Sequence, residues 1–508
     1  TLSLHDALPI LFLDKLDNFI DKIKIFGYHF ASLDIRQDSR IHSKVFYEIF
    51  KKALKNKFPK DYATLKESQK IKVLDKLNNI ELSGNDFNDT IVKNTIESII
   101  AMKTIQNSNG EKACNRYIIS NNQSAINILE VFSMFKLSGW NNLTVDIVPL
   151  FETIDDLNVS TYVMETVYKN KKYRNHLEMR GNIQTIMLGF SDGTKDGGYL
   201  TANWSILKAK ESLTKISRKY GIKVIFFDGR GGPPARGGGN THQFYSSLGS
   251  LVESEQIQLT VQGQTISSNF GTIDSSQYNL EQLISSGLNN KIIADKEIFT
   301  ASHRRTLNKL SEISYKSYSD FKSHPKFVPY LENMSTVKYY AKTNIGSRPS
   351  KRSNDDVFSF ESLRAIPFVG SWSQLKQNVP GFFGFGTAIN YFHENKRLNE
   401  VKKLYKEVPF FRALVSNSMM SLTKSFFQLT SYMKDDPEFG TFWDIIYDEY
   451  ILTKKMLLKV SGFSELMQNE PANKLSIQTR ENIVLPLITI QQFALQNIKE
   501  LNKKNSKK

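Results

Sequence analysis

Throughout the chain, helical patterns alternate with short apolar runs that end in polar or charged residues, and this alternation narrows the fold more than any other feature. Strands separated by helices pair side by side in a parallel sheet, so an α/β fold is expected. Seven runs qualify as strands: 28–35, 116–120, 144–150, 185–190, 223–227, 258–261 and 364–369. A closed eight-stranded barrel would need one more. Much of the remainder, including 398–432 and 442–461, reads as amphipathic helix with Lys and Glu on the outer faces. With 508 residues the chain exceeds the roughly 250–300 at which single cores stop growing, so it holds either several domains or one large helix-wrapped barrel. No solenoid repeat or Gly/Ser linker divides it. Residues 1–10 (TLSLHDALPI) share no periodicity with the residues after them and read either as translated sequencing adapter or as a lead into the first helix. The fold is therefore read from residue 11 onward.

Charge and cysteine content exclude several classes. The 67 Lys and Arg against 51 Asp and Glu leave +16, which asks for an anionic partner: nucleic acid, a membrane surface or a small multiply charged substrate. Part of the excess is a C-terminal cluster of Lys499, Lys503, Lys504, Lys507 and Lys508, read as a solvated end. Cys114 is the only cysteine, so intrachain disulfides, thiolate zinc sites and cysteine-bound iron–sulfur clusters are ruled out and a reducing cytoplasm fits. No apolar run approaches the ~20 residues needed to span a bilayer. The best, 483–490, is interrupted by Pro486, so a soluble protein without membrane association is expected.

In parallel α/β folds the carboxyl ends of the strands face the site, which raises the interest of polar residues just past each apolar run. Asp34 and Arg36 follow the first run, Glu152 follows VPLF, Asp192 and Lys195 follow MLGFS, and Asp228 with Arg230 follows VIFF. Glu152 and Asp192 offer hard oxygen ligands from two strand ends, suited to Mg²⁺ or Mn²⁺ and poorly to zinc. The alternative for each carboxylate is an ordinary helix N-cap. The segment 228–242, DGRGGPPARGGGNTH, places six glycines and two arginines behind a strand. Glycine lets backbone N–H groups approach an anion, and Arg230 and Arg236 supply forked donors, so an anion cradle is expected. Its rivals are a structural loop and an RGG-type RNA-binding tract, although such tracts are long, repetitive and disordered. A second basic group, GSRPSKR (346–352), precedes SLRAIPF, in which Arg364 opens an apolar run.

Taken together, the motifs FASLDIRQDS (30–39), VPLFETIDDL (148–157), MLGFSDGTKDGG (187–198), FFDGRGGPPARGGGNTH (226–242), LTVQGQTI (259–266) and SRPSKR…SLRAIPF…SWSQ resemble phosphoenolpyruvate carboxylase. The resemblance runs from about residue 11 to 496 and corresponds to the larger, C-terminal part of that enzyme. It implies a cytoplasmic, helix-rich eight-stranded barrel that assembles as a tetramer. Barrel strands and active-site loops would fill about 11–370 and a helical region 371–508. The implied reaction adds bicarbonate to phosphoenolpyruvate through carboxyphosphate and an enolate, releasing oxaloacetate and phosphate. Alternatives are a non-catalytic anion-binding barrel and an RNA-binding protein using the Gly/Arg loop.

The resemblance assigns Glu152 and Asp192 to a divalent metal, and Arg36, Arg230 and Arg364 to the phosphate and carboxylate of phosphoenolpyruvate. Lys195 falls near the bicarbonate site, and Arg236 and Arg348 are further pocket arginines. Asp228, Gly229, Gly231, Gly232, Gly237 and Gly238 form the substrate loop, while Lys424 and Arg480 match residues that bind an inhibitory dicarboxylate such as aspartate or malate. Asp228 stands where many relatives carry histidine, and Ala235 and Asn240 replace a glycine and a proline. The family's Thr-Ala-His-Pro-Thr motif, which supplies the proton acceptor at the end of its first barrel strand, is absent from the 508 residues. That strand is expected upstream of residue 11, and the chain by itself is expected to be inactive and prone to aggregate. The family's terminal asparagine, which completes the effector pocket, gives way to KKNSKK, so blunted aspartate inhibition is expected.

Overall fold

The structure, a computed structural model, describes residues 12–53, 62–77, 81–292, 299–340, 360 and 363–505. The chain divides into two compact units. One comprises Thr1–Phe151, Val159–Met187 and Ile216–Val224, the other Glu152–Asn158, Leu188–Lys215 and Ile225–Lys508. The described residues contain six strands: β1 (Asp34–Asp38), β2 (Arg116–Ser120), β3 (Asp146–Phe151), β4 (Ile183–Gly189), β5 (Lys223–Gly229) and β6 (Ile257–Leu259). They form a parallel sheet in sequence order that stays open among the described residues. The expected helix-rich α/β class is therefore found, with an open sheet of six strands where the sequence suggests seven.

In the first unit β1, β2 and β3 pair in parallel, with Asp34 opposite Arg116 and Arg116 opposite Asp146. The Arg116 guanidinium holds the Asp34 carboxylate at 2.6 Å, fixing the start of the register. Helices α1 (Ser39–Ala53) and α2 (Ala125–Leu137) cover the strands with Val45, Phe46, Ile49, Ile128 and Phe135, all fully buried. Among them lies the carboxyl of Glu130, which accepts hydrogen bonds from Ser43 and Tyr62, both at 3.0 Å. Burial pushes that carboxyl above the usual glutamate range.

Only the last two residues of the run at 28–35, Asp34 and Ile35, are strand. Tyr28, Phe30 and Leu33 are 97%, 77% and 56% exposed, so their side chains gain nothing from a sheet, and Phe30 takes a left-handed φ of 61°. Pairing begins only at Asp34, which puts Asp34 and Arg36 inside β1 rather than beyond it.

The second unit contains helices α3 (Phe190–Gly197), α4 (Tyr199–Lys219), α5 (Thr241–Ser246), α6 (Ala301–Lys322), α7 (Ala365–Gln374), α8 (Leu398–Glu407), α9 (Pro409–Thr423), α10 (Gly440–Ser461) and α11 (Pro471–Asn505). Its core is aromatic. Phe321 of α6 stacks on Phe383 and Phe442 with ring centroids 4.0 and 5.2 Å apart, and Trp372 of α7 packs beside them. Proline at the first position of α9 separates it from α8, so the stretch at 398–432 is broken helix rather than one continuous span.

The run at 364–369 forms the start of α7, not a seventh strand. Ala365, Phe368, Val369 and Trp372 are buried at helical spacing, and Pro367 lies in the first turn, where a missing N–H costs little. Short apolar runs fit strand and helix equally well, and here the burial at residue 372 decides. No described helix is long and apolar enough to cross a membrane. Cys114 is buried with a free thiol.

Candidate active site

The second unit gathers several of the expected residues. Glu152 directly follows β3 and is 4% exposed; its backbone N–H donates to Asp156 at 3.3 Å, shaping the turn into the next helix. Asp192 lies in the first turn of α3, after β4 has ended at Gly189. The segments carrying the two carboxylates are packed together. The Ile154 N–H donates to Asp196 at 3.0 Å, and a methyl at Gly193 would lie 3.4 Å from the Glu152 carbonyl oxygen. Among the described residues no three His, Cys, Asp or Glu side chains form a metal-binding group. Two hard carboxylates still suit Mg²⁺ or Mn²⁺, which need only one or two from the protein and fill the remaining positions with water and substrate oxygens.

The Gly/Arg loop folds back on itself. The N–H groups of Gly231, Gly237 and Gly238 donate to Arg236, Pro234 and Pro233 carbonyls at 2.7, 2.9 and 3.0 Å. These amides are thus spent inside the loop, and the expected cradle of glycine N–H groups does not form at those three positions. The glycines serve close packing. Gly237 has φ +80°, and a side chain there would collide with Phe190; a methyl at Gly238 would overlap the Gly232 carbonyl oxygen. Such a compact turn is unlike an extended RGG tract, which removes the feature that favoured RNA binding.

The anion-binding capacity of the loop therefore rests on its arginines. Arg236 donates from Nε to Ser191, next to Asp192, at 3.2 Å, and its other end is held by Gln262. Burial lowers this guanidinium below its ordinary pKa, and the Asp192 carboxylate opposes the shift. Arg230 is 5% exposed and donates to the Gly237 carbonyl. Its guanidinium lies over Phe244 at 4.4 Å and Tyr245 at 5.3 Å, a cation–π enclosure that fixes its direction.

At the base of the loop Asp228 is fully buried. One carboxylate oxygen accepts from Lys210 of α4 and from the Tyr245 hydroxyl of α5, both at 2.7 Å. Burial lowers the Lys210 pKa while Asp228 pulls it back up, and burial beside Asp228 drives the Tyr245 phenol well above its usual value. Asn240, in place of the family's proline, accepts the Gln243 N–H at 3.0 Å and caps α5. Ala235 is buried, its Cβ about 4.0 Å from where a methyl at Gly381 would stand.

Lys195 is tied down. Its ammonium donates to the carbonyls of Phe360 and Leu363 at 2.7 and 2.5 Å and lies 4.3 Å over the Phe360 ring. The Leu363 carbonyl immediately precedes Arg364, which occupies the N-cap position of α7. Lys195 thus positions the entry to Arg364. Arg36 is half-buried in β1 of the first unit, opposite Ile118. Arg348 lies outside the described residues.

Lys424 ends α9 and Arg480 lies on α11, where its Nε donates to the Ser476 carbonyl at 3.1 Å. Burial first, then the charges of Arg480 and Lys376, lower the Lys424 ammonium to about 8, with Glu481 opposing. Lys376, 4% exposed, grips Glu481 at 2.6 Å.

Sequence reasoning missed Lys210, Tyr245, Gln262 and Lys376. Lys210 left a usable signal: it lies four residues after Ile206 and three before Leu213, on the buried face of α4, where a lysine requires a counter-ion.

These motifs, in this order and on these elements, are matched from residue 3 to 508 by the model of the phosphoenolpyruvate carboxylase family. The chain belongs to that family. It is 34% identical over 490 residues to the phosphoenolpyruvate carboxylase of Nitrosomonas europaea, covering 92% of this chain and 52% of that protein. The phosphoenolpyruvate carboxylase of Corynebacterium glutamicum is 32% identical over 518 residues, covering 96% and 55%. The chain spans about half the length of the curated relatives it matches.

Proposed function

We propose that this chain carries the substrate- and metal-binding part of a phosphoenolpyruvate carboxylase, a carboxy-lyase that joins bicarbonate to phosphoenolpyruvate to give oxaloacetate and phosphate. The observation that supports this most is the bond from Arg236 to Ser191, which brings the guanidinium of the Gly/Arg loop beside Asp192. A substrate bearing both phosphate and carboxylate needs several fixed cations near a divalent metal, and that juxtaposition supplies one of each kind of partner.

In this proposal Glu152 and Asp192 hold Mg²⁺ or Mn²⁺, which when bound would draw negative charge from the substrate's oxygens. Arg230, stiffened by its aromatic enclosure, and Arg236 bind the phosphate. Arg364, delivered by the Lys195-anchored turn, adds a further anionic contact, and the family resemblance alone adds Arg36 and Arg348. The proton acceptor is assigned to the family's histidine motif, which these 508 residues lack. Closure of the sheet into an eight-stranded barrel, assembly as a homotetramer, a cytoplasmic setting, and no partnership with nucleic acid or membrane belong to the same proposal. Lys424, Arg480 and Lys376 form the candidate site for a dicarboxylate effector.

The test is Asp192→Asn. Calorimetric titration with Mn²⁺ should show a severe loss of affinity, because one of two anionic oxygen ligands is gone. Unchanged affinity would remove Asp192 from the metal site.

A further inference from the structure

Asp228, at the root of the Gly/Arg loop, is paired with a lysine that reaches it from a different element. Lys210 is 1% exposed in the middle of α4, and Asp228 is fully buried near the end of β5. The two meet at 2.7 Å. The same carboxylate oxygen takes the Tyr245 hydroxyl at 2.7 Å, and the Arg230 guanidinium lies 5.3 Å over the Tyr245 ring. Arg230 in turn donates to Gly237, across the loop. A single connected chain of groups therefore joins α4, the end of β5, the end of α5 and the far side of the loop. The Lys210 ammonium also lies 5.1 Å over Phe226 and 5.7 Å over Tyr245, so its site is walled by rings as well as by the carboxylate.

Removing one member of a buried ion pair leaves the other charge stranded, whereas replacing both with neutral groups of similar volume often costs little. We propose that Lys210 is a positioning residue for anion binding: paired with Asp228 and acting through Tyr245, it fixes the direction of Arg230. The inference rests on the proposed role of Arg230 as a phosphate ligand. Lys210 itself is enclosed by α4, β5 and α5 and acts on the anion only through this chain of contacts.

A through-space effect of charge and a positioning effect differ in sign at Asp228. If the carboxylate mattered only as a nearby negative charge, Asp228→Asn would tighten anion binding. If it positions Arg230, the same change weakens it. Calorimetric titration of the full chain with inorganic phosphate and with phosphoenolpyruvate should show Asp228→Asn and Lys210→Met each weaker by at least about tenfold, a size typical of misplaced binding groups. The double variant, Lys210→Met with Asp228→Asn, should recover most of the loss. Tyr245→Phe, which removes one hydroxyl and keeps the ring, guards against variants that fail to fold, and should weaken phosphate binding severalfold.

Hydrogen exchange supplies a readout independent of any substrate. Amides of 229–245 should exchange faster in each single variant and return towards the parent rate in the double variant, while those of α10 stay unchanged. Tighter anion binding by Asp228→Asn, or no recovery in the double variant, would overturn the positioning role. If the exchange pattern appears as expected but the parent chain binds neither phosphate nor phosphoenolpyruvate, positioning of the loop stands and the substrate assignment falls.

Discussion

Two lysines of the second unit, Lys210 buried and Lys424 half-buried, face opposite surroundings. Lys210 has a carboxylate at 2.7 Å, fully buried with it. Lys424 faces Arg480 and Lys376, and the carboxylate that opposes them, Glu481, is already gripped by Lys376 at 2.6 Å. Both ammonium groups carry the cost of leaving water, but the first is matched by a carboxylate in direct contact, whereas the cations around the second outweigh the opposing Glu481. The comparison separates two uses of buried charge. A matched pair acts as scaffold, because either charge alone is unfavourable. A cation crowded by cations is poised for an anion from outside, since binding one relieves repulsion the fold has left standing.

The widest separation between the two should appear in stability. Lys210→Met is expected to lower the unfolding free energy by about 3–5 kcal/mol, because Asp228 is left buried and unpaired. Lys424→Met should stay within about 0.5 kcal/mol of the parent or stabilise it. Urea denaturation followed by circular dichroism measures both, and equal losses would erase the distinction.

Acidity sharpens it next. The Lys424 ammonium titrates near 8 in the folded chain against an ordinary 10.5, so the folded state releases its proton first. Its unfavourable contribution is full below about 8 and is relieved as pH rises from there towards 10.5. Aspartate or malate, in contrast, needs the charged form. Its affinity should fall by about tenfold between pH 7 and pH 9, roughly the loss of the charged fraction. Titration calorimetry at the two pH values checks this, and a flat profile would remove Lys424 from the effector site.

Arg364→Lys asks to which class the residue at the head of α7 belongs. It keeps the charge and loses the planar fork, so phosphoenolpyruvate should bind about fivefold more weakly with little change in stability. Equal affinity would make Arg364 scaffold, like Lys210. The smallest effect is expected at Asn240→Ala, which removes the cap of α5: about 1 kcal/mol or less, seen as faster amide exchange at 241–246.

The four central strands were legible in the sequence because each is a continuous apolar run between turn signals, and β2 was placed at its observed bounds. The two misplaced runs failed for different reasons. At 28–35 the apolar residues point to solvent, and the strand was set by an ion pair, Asp34 with Arg116, whose partner is 82 residues away in the chain. At 364–369 the deciding residue, Trp372, lies beyond the run.

Among the candidate site residues, Glu152, Asp192 and Arg230 could be picked out because a position just past a strand is written locally, whereas Arg36 lies inside β1 and Arg364 heads a helix. The working of the glycine loop could not, since nothing local shows that its N–H groups turn inward. Lys195 is similar: its carbonyl partners lie 165 and 168 residues away. Lys210 was readable in principle, as a charge at an apolar helical position, but its significance needed Asp228 beside it.

The crossing of Gly238 over the Gly232 carbonyl has a further consequence for how such a protein can change. Because any added methyl would overlap that oxygen, even alanine at 238 would force the two sides of the loop apart. Arg230 and Arg236 flank the crossing and would move with it. Gradual adaptation of the proposed anion site is therefore closed at the crossing and open only around it, at Lys210, Tyr245, Asn240 and Gln262. Divergence among relatives should collect at such peripheral positions in coupled pairs, with the crossing left as the fixed point around which they drift.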